Sequence, residues 1–271
     1  MPNMKQVAVW ALLLVAGLSL WAWAQGLTAD EILDQVEEKG FFSTEENLTL
    51  AFALSVWEEP SEAREYAFRV WSKEYKDDVV GAKWLIMFES PEDQAGVLLL
   101  FHKLEEGCTR VWQYLPALNI RKEIVGKGME GEFISGSGIT YNEIAEGFQY
   151  RDEYIPELLG EEELDGQATW KIEFTPKDPE AVDWSKIVIW VEQVGYNLVR
   201  AEFRNKAGEL ARLITAEDLV EDALGLRPSL ITFQNFEEGK RSQIRILERS
   251  AAEIPDEYFK PENLPTLQLG D

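Results

Sequence analysis

From Leu48 to Val56 the chain reads Leu-Thr-Leu-Ala-Phe-Ala-Leu-Ser-Val, with a large apolar residue at every second position. Successive side chains of a strand point to opposite faces, so Leu48, Leu50, Phe52, Leu54 and Val56 would all line one side of a sheet. The same period returns, less cleanly, in segment after segment to about residue 249. A chain patterned this way folds as a largely antiparallel sheet with one apolar face, and that face must be covered. What covers it is the functional question.

Strand-like runs are expected at residues 48–57, 64–75, 83–89, 97–103 and 109–115. Their connections are turn material: Glu59-Pro60-Ser61, Asp77-Asp78, Ser90-Pro91-Glu92-Asp93 and Glu105-Glu106-Gly107. Short polar turns between period-two segments make hairpins. A second set is expected at 155–162, 169–176, 186–194, 198–205, 209–216, 228–237 and 242–249, the first weakened by Pro156, which lacks a ladder donor. Residues 217–224 fit a short helix or an acidic strand edge equally well. About a dozen strands in chain order predict one large antiparallel sheet, of the kind that curls into a barrel or half-barrel. A helix precedes it: Thr28-Ala29-Asp30-Glu31 is a capping box, Ile32, Leu33 and Val36 share a face, and Gly40 ends it. The apolar face of the sheet is the nearest surface for that helix to cover.

Ahead of the helix, Lys5, an apolar run at 7–20 and the triplet Ala22-Trp23-Ala24 have the form of a signal peptide cleaved before Gln25. The run to residue 24 is also long enough for an anchor, but its Ala-x-Ala end favours cleavage. Residues 1–24 are thus expected to be a leader and 25–271 one domain, since no linker rich in Pro, Gly or Ser divides it. The chain carries 26 Lys+Arg against 50 Asp+Glu, a formal charge of −24. Such a surface repels nucleic acid and anionic membranes, so neither is an expected direct partner. Cys108 is the only cysteine and His102 the only histidine, which excludes an internal disulfide, a cysteine cluster and a metal site built on several imidazoles. No metal or cofactor is expected.

Between the two sets of strands, residues 121–147 hold Gly126, Gly128, Gly131, Gly136 and Gly138, with Met129, Phe133 and Ile134 interleaved. Thr140-Tyr141-Asn142-Glu143 then caps a short helix through Ala145. Glycine with isolated apolar residues suits a lid, with Met129, Phe133, Ile134 and Tyr141 as its contacts, or an ordinary surface connection. Nothing in the segment matches a phosphate-binding loop.

Several motifs resemble those of outer-membrane lipoprotein-sorting (LolA-like) proteins. They begin with the runs at residues 65–73 and 88–96. Tyr114-Leu115-Pro116-Ala117-Leu118-Asn119-Ile120-Arg121-Lys122, followed by Gly136-Ser137-Gly138-Ile139-Thr140-Tyr141-Asn142-Glu143-Ile144, is similar to the family's central stretch. Residues 159–166, 174–178 and 186–191 resemble the strands after it, so the likeness spans nearly the whole chain beyond the leader. Gly138 stands where the family usually has Asp, and Asn142-Glu143 replaces the usual pair of acids, which puts any role of a carboxylate at 138 or 142 in doubt. The resemblance implies a mainly β fold: a large curved antiparallel sheet, a half-open barrel, with a few short helices covering its concave face. It further implies a periplasmic carrier or chaperone that binds acyl chains of lipoproteins or other lipids without covalent chemistry, with an inner-membrane export complex as a candidate partner.

Candidate ligand contacts are the apolar residues whose strand parity turns them toward that face: Leu50, Phe52, Leu54, Phe68, Trp84, Phe88, Trp112, Tyr114, Trp190, Phe203 and Phe233. A filled core explains any one of them equally well. Arg69, Arg110 and Arg121 are candidates for a polar head group. Catalysis finds little support: carboxylate pairs arise by chance among 50 acids, a serine triad would have to use His102, and no Gly-x-Ser-x-Gly elbow exists. The competing reading is a cell-envelope module that recognises a protein or glycan, and a hydrolase ranks third.

Overall fold

The computed structural model describes residues 26–39, 47–58, 62–75, 80–104, 109–147, 150–223 and 225–269. The expected leader, Gly40, Cys108 and the turns at 59–61, 77–78 and 105–107 lie outside the described residues. Helix α1 (Ala29–Lys39) is followed by strands β1 (Leu48–Glu58), β2 (Arg64–Glu74), β3 (Val80–Ser90), β4 (Leu98–Leu104), β5 (Thr109–Leu115) and β6 (Ile120–Ile124). After the short helix α2 (Tyr141–Glu146) come β7 (Tyr154–Leu164), β8 (Gln167–Pro176), β9 (Lys186–Glu192), β10 (Leu198–Arg204), β11 (Leu210–Asp222), β12 (Gly225–Asn235) and β13 (Lys240–Ala251). Two 3-10 turns, Asp256–Phe259 and Pro261–Thr266, close the chain.

All thirteen strands form one open antiparallel sheet in the order β6-β5-β4-β3-β2-β1-β13-β12-β11-β10-β9-β8-β7. The chain starts at the centre, walks out to one edge, crosses to the opposite edge and walks back until β13 pairs with β1, from Leu48↔Ala251 to Glu58↔Lys240. That route has a consequence. The segment between β6 and β7 must travel from one edge of the sheet to the other, so it has to pass over a face.

The face it crosses is the one the alternation marks. Leu48, Leu50, Phe52, Leu54 and Val56 pack with inward residues of β2 to β5 and with Phe133, Ile134, Ile139, Tyr141 and Ala145 of the crossing segment. On the other half of the same face, Ile32 and Leu33 of α1 pack on Ile172, Phe174, Ile187, Ile189, Val191, Ala201 and Phe203. The capping box forms as expected: the Glu31 N–H donates to Thr28 Oγ1 (3.2 Å) and the Thr28 N–H to Glu31 Oε2 (2.8 Å). Arg151 clamps α1 to the start of β7 through Asp34 (2.7 Å) and Glu37. Residues 217–222 continue β11 as strand, resolving the open alternative. Strand β6, which sequence patterning misses, is an edge strand exposed along most of its length.

The outer face has its own cover. Trp71, Leu85, Leu98, Leu100, Trp112 and Tyr114 are buried there under Ile254, Phe259 and Leu264 of the C-terminal segment. His102 belongs to this side, with its Nε2 2.8 Å from the Phe259 carbonyl oxygen and its ring against Trp112. Burial pushes its pKa down to about 4, so it is neutral at pH 7.

At the β9–β10 turn the buried Glu192 accepts the N–H groups of Val194 (2.8 Å), Gly195 (2.6 Å) and Asn197 (3.0 Å) and the Asn197 side-chain amide (2.7 Å). Gly195 is required here, because a Cβ would lie 2.5 Å from Asn197 Nδ2 and 2.6 Å from Glu192 Oε1. Glu192→Gln turns one acceptor into a donor facing backbone N–H groups, and should cost about 2–3 kcal/mol. Thermal unfolding followed by circular dichroism should show the midpoint fall by roughly 5–10 °C; an unchanged midpoint would mean the turn does not depend on the charge.

Candidate functional site

The inner face carries an aromatic row built by strand register. Phe52 stands opposite Phe68, and Phe68 opposite Phe88, so three rings fall side by side on adjacent strands. Phe52 and Phe68 stack at 5.4 Å between centroids, Phe68 meets Phe88 at 5.8 Å, and Trp84 stacks on Phe101 at 5.3 Å. Directly opposed residues in an antiparallel ladder share a face, which is why three separated segments of sequence deliver one continuous apolar wall.

Over this wall lies the crossing segment. Phe133 points its edge at Phe68 from 6.5 Å, and Met129 and Ile144 pack beside it. The segment closes on itself as a small loop: the Phe133 N–H donates to the Ile139 carbonyl (3.1 Å) and the Tyr141 N–H to the Gly131 carbonyl (3.0 Å). Helix α2 then starts from Thr140 with a complete capping box through Glu143.

The tip of that loop, Gly136-Ser137-Gly138, is held by polar groups alone. Gly136 and Gly138 have φ of 82° and 66°, a conformation glycine adopts without strain. It turns both N–H groups onto the Glu132 carboxylate, at 2.8 and 2.7 Å. Lys240 of β13 reaches the same carboxylate at 3.0 Å. Burial works to raise the Glu132 pKa, but the Gly136 N–H, Lys240 and the Gly138 N–H outweigh it and hold the carboxyl below its ordinary value. Ser242 Oγ donates to the Ser137 carbonyl (2.7 Å), and Arg212 Nη2 to the Gly138 carbonyl (3.0 Å). Arg212 also pairs with Glu143, and its guanidinium lies 5.7 Å from the ring centre of Phe203 and 5.9 Å from that of Phe233. The crossing segment is therefore apolar where it lies on β1 to β5 and ionic where it meets β11 and β13.

Of the expected ligand contacts, Leu50, Phe52, Leu54, Phe68, Trp84, Phe88 and Phe233 come together in the inner-face cluster that includes the crossing segment. Phe203 lies beyond Arg212, under α1. Met129, Phe133, Ile134 and Tyr141 all sit in the crossing segment against this wall. Three residues are misplaced by the parity reading. Trp112 and Tyr114 point outward beneath the C-terminal segment, and it is Val111 that faces in. Trp190 also faces out, with Val188 and Val199, where the ammonium of Lys171 and the guanidinium of Arg200 lie over its ring at 4.8 and 5.5 Å. Arg69 and Arg110 are paired with Glu89 (3.0 Å) and Glu123 (2.9 Å), and Arg121 is an exposed residue of β6. Glu132, Arg212, Lys240 and Ser242, which hold the crossing segment, are not among the residues that the sequence pattern marks. Their signal is a polar residue at an inward position of an otherwise alternating strand.

Among the described residues no helix is long and apolar enough to cross a membrane. A protein-family model described as "Uncharacterized protein" matches residues 81–266. No curated protein matches the sequence. Among solved structures, the chain is similar to a Vibrio parahaemolyticus domain described as an outer membrane lipoprotein-sorting protein, with 22% identity, a TM-score of 0.72, and coverage of 87% of this chain and 97% of that one. A DUF1329 family protein from Desulfovibrio piger is 22% identical, with a TM-score of 0.74 and coverage of 87% and 98%. A LolA superfamily protein from Nitrosomonas europaea is 20% identical, with a TM-score of 0.62 and the same coverage, 87% and 98%. At these identities the likeness is one of fold.

Proposed function

We propose that this chain, which belongs to the family whose model spans residues 81–266 and has the fold of the LolA-like outer-membrane lipoprotein-sorting proteins, is an exported carrier of acyl chains. In this reading residues 1–24 are the leader and 25–271 the carrier domain, working in the periplasm without covalent chemistry. Acyl chains of lipoproteins or other lipids would lie along Phe52, Phe68 and Phe88 after the lid swings off them.

The observation that carries the reading is the unequal attachment of the lid. Its tip is tied to β11 and β13 by side-chain contacts and not by a ladder, and its remaining hold on the sheet is the Arg212–Glu143 pair and apolar packing. Uncovering its Met129, Phe133, Ile134, Ile139 and Tyr141 forfeits about 2 kcal/mol for each of these side chains. About a dozen methylenes of a single acyl chain laid in their place return a similar total, at about 0.8 kcal/mol each. An apolar cover whose loss nearly balances cargo burial, with a few side-chain fastenings as the net cost, can exchange with it, whereas a cover built as a fourteenth strand could not.

Native mass spectrometry of the full protein, after incubation with phospholipid vesicles and re-isolation, tests this. Bound lipid at about one molecule per chain is expected, displaceable by a second acyl-chain ligand. Protein that emerges lipid-free from every vesicle, with unaltered hydrogen exchange in residues 131–146, would sink the reading.

A further inference from the structure

The β6 edge of the sheet differs from the rest of the molecule in both charge and polarity. Strand β6 follows the 3-10 turn Pro116–Leu118 and runs into a second one, Gly126–Glu130. From residue 107 to residue 129 the only acid is Glu123, against Arg110, Arg121, Lys122 and Lys127. Four cations and one acid make a local net charge of +3 in a chain of −24. Glu123 is taken up by Arg110 through two contacts, at 2.9 and 3.1 Å. Arg121, Lys122 and Lys127 are exposed and pair with no carboxylate among the described residues. Glu262 of the C-terminal turn, which acts on His102, adds one acid on the outer side. The same stretch leaves Leu118, Ile120 and Val125 exposed, at 64%, 47% and 66%. Leu118 is held out by a fixed turn. Asn119, at φ 51°, donates its N–H to the Pro116 carbonyl (3.1 Å) and accepts the Tyr114 hydroxyl (3.1 Å). Ile120 stands opposite Leu115 and Lys122 opposite Gln113, so these two share the inner side with Ile124. From Ile120 to Val125 the edge extends about 17 Å.

We propose that this edge is a docking surface for an anionic lipid bilayer. Arg121, Lys122 and Lys127 meet the head groups, and Leu118, Ile120 and Val125 reach the boundary of the acyl chains. Two features favour a bilayer over a protein partner. First, apolar side chains exposed beside lysine and arginine match an interface that is anionic above and apolar below. Second, a five-residue edge strand that carries a lysine and has a turn on each side resists strand addition by another chain. The overall charge of −24 repels an anionic membrane, which is why composition predicts none. Charges beyond about 8 Å are screened at physiological salt, however, so a chain that touches the bilayer with this edge is governed by the edge. The inference goes beyond the carrier reading and stands without it. It also bears on that reading. Val125 leads directly into Gly126–Glu130, whose Met129 packs on the inner-face cluster, so the docked edge is continuous with the segment that covers the apolar wall.

The test places an environment-sensitive fluorophore on a single cysteine of the full chain, in a Cys108→Ser background. Leu118→Cys and Val125→Cys probe the edge. Val194→Cys, at an 82% exposed position of the β9–β10 turn, probes a distant pair of strands. With vesicles of phosphatidylglycerol and phosphatidylcholine, the probes at 118 and 125 should shift to the blue, while the probe at 194 stays as in water. The readout is local, so it reports this edge whatever else of the chain meets the bilayer. Lys122→Gln with Lys127→Gln should weaken the vesicle affinity read at 118 by roughly 30-fold, about fivefold for each charge. Both lysines are exposed, and an unchanged unfolding midpoint should show that the variant is folded. An equal response to vesicles of phosphatidylcholine alone, or an affinity untouched by the two substitutions, would overturn the proposal. So would a probe at 194 that responds as strongly as the one at 118. A response without vesicles that grows with protein concentration would make the edge a contact between copies and overturn the membrane assignment. No loading of lipid is read, so each of these results leaves the carrier reading where it stands.

Discussion

A protein bearing Gly138→Cys and Lys240→Cys, with Cys108→Ser to remove the native thiol, should fold with its lid bolted to β13 and take up no lipid until it is reduced. A Cβ built on Gly138 lies 3.9 Å from the Lys240 Cβ, inside the 3.5–4.5 Å that a disulfide spans. Two costs are expected. A non-glycine residue at φ 66° loses about 1–2 kcal/mol, and the Lys240–Glu132 pair (3.0 Å) is lost as well. Closing a loop of about 100 residues contributes roughly 4–5 kcal/mol in the chain-entropy account, which covers both. Because the lid must leave Phe52, Phe68 and Phe88 before a chain can lie on them, the oxidised form should lose uptake by more than about a hundredfold, the least that a link of this strength implies. Reductant should restore it to the level of the same variant never oxidised. Oxidised protein that loads as fast as reduced protein would show that cargo enters without moving this segment.

The inner face is legible because its period is local. Leu48 to Val56 alternate cleanly, and every one of the five apolar residues lands on the face that the period assigns. The same rule fails at β5, where Val111, Trp112 and Tyr114 are all buried. Both faces of that strand are covered, so period two has nothing to choose between, and the second cover is a pair of 3-10 turns with no period of their own. Trp190 fails for a related reason: Lys171 and Arg200 lie over it and bury an aromatic ring on a face that reads as polar. Strand β6, Ile-Arg-Lys-Glu-Ile, reads as loop because an edge strand exposed along most of its length, with only Ile124 reaching the core, has too little buried face to mark. What no local pattern holds is the pairing of β1 with β13, which joins residues about 200 positions apart and makes the crossing segment a cover. The glycines and Phe133 suit a lid or a surface connection equally; that the segment covers the inner face and is fastened by Arg212, Lys240 and Ser242 follows only once β11 and β13 are placed beneath it.

Of those fastenings, Arg212 has the largest thermodynamic weight. Its side chain is 9% exposed and that of its partner Glu143 22%, so neither charge is well hydrated if the other is removed. Breaking a fully buried pair from one side costs about 3–5 kcal/mol, and the remaining exposure of Glu143 lowers the expectation for Arg212→Met to about 2–4 kcal/mol. The unfolding midpoint should drop by roughly 5–15 °C, and hydrogen exchange should quicken in residues 131–146 before it does in β1 or β2. A lost packing contact would give the same midpoint, since the guanidinium also rests on Phe203 and Phe233. The second substitution separates the two. Glu143→Gln keeps the N3 role in the capping box, which glutamine fills as well as glutamate, and removes the stranded charge. If the pair is what fastens the lid, Glu143→Gln in the Arg212→Met background should recover about 1–2 kcal/mol, although alone in wild type it destabilises. Strictly additive losses would instead assign Arg212 to the packing between the two halves of the inner face, and the lid would owe its position to Glu132, Lys240 and Ser242.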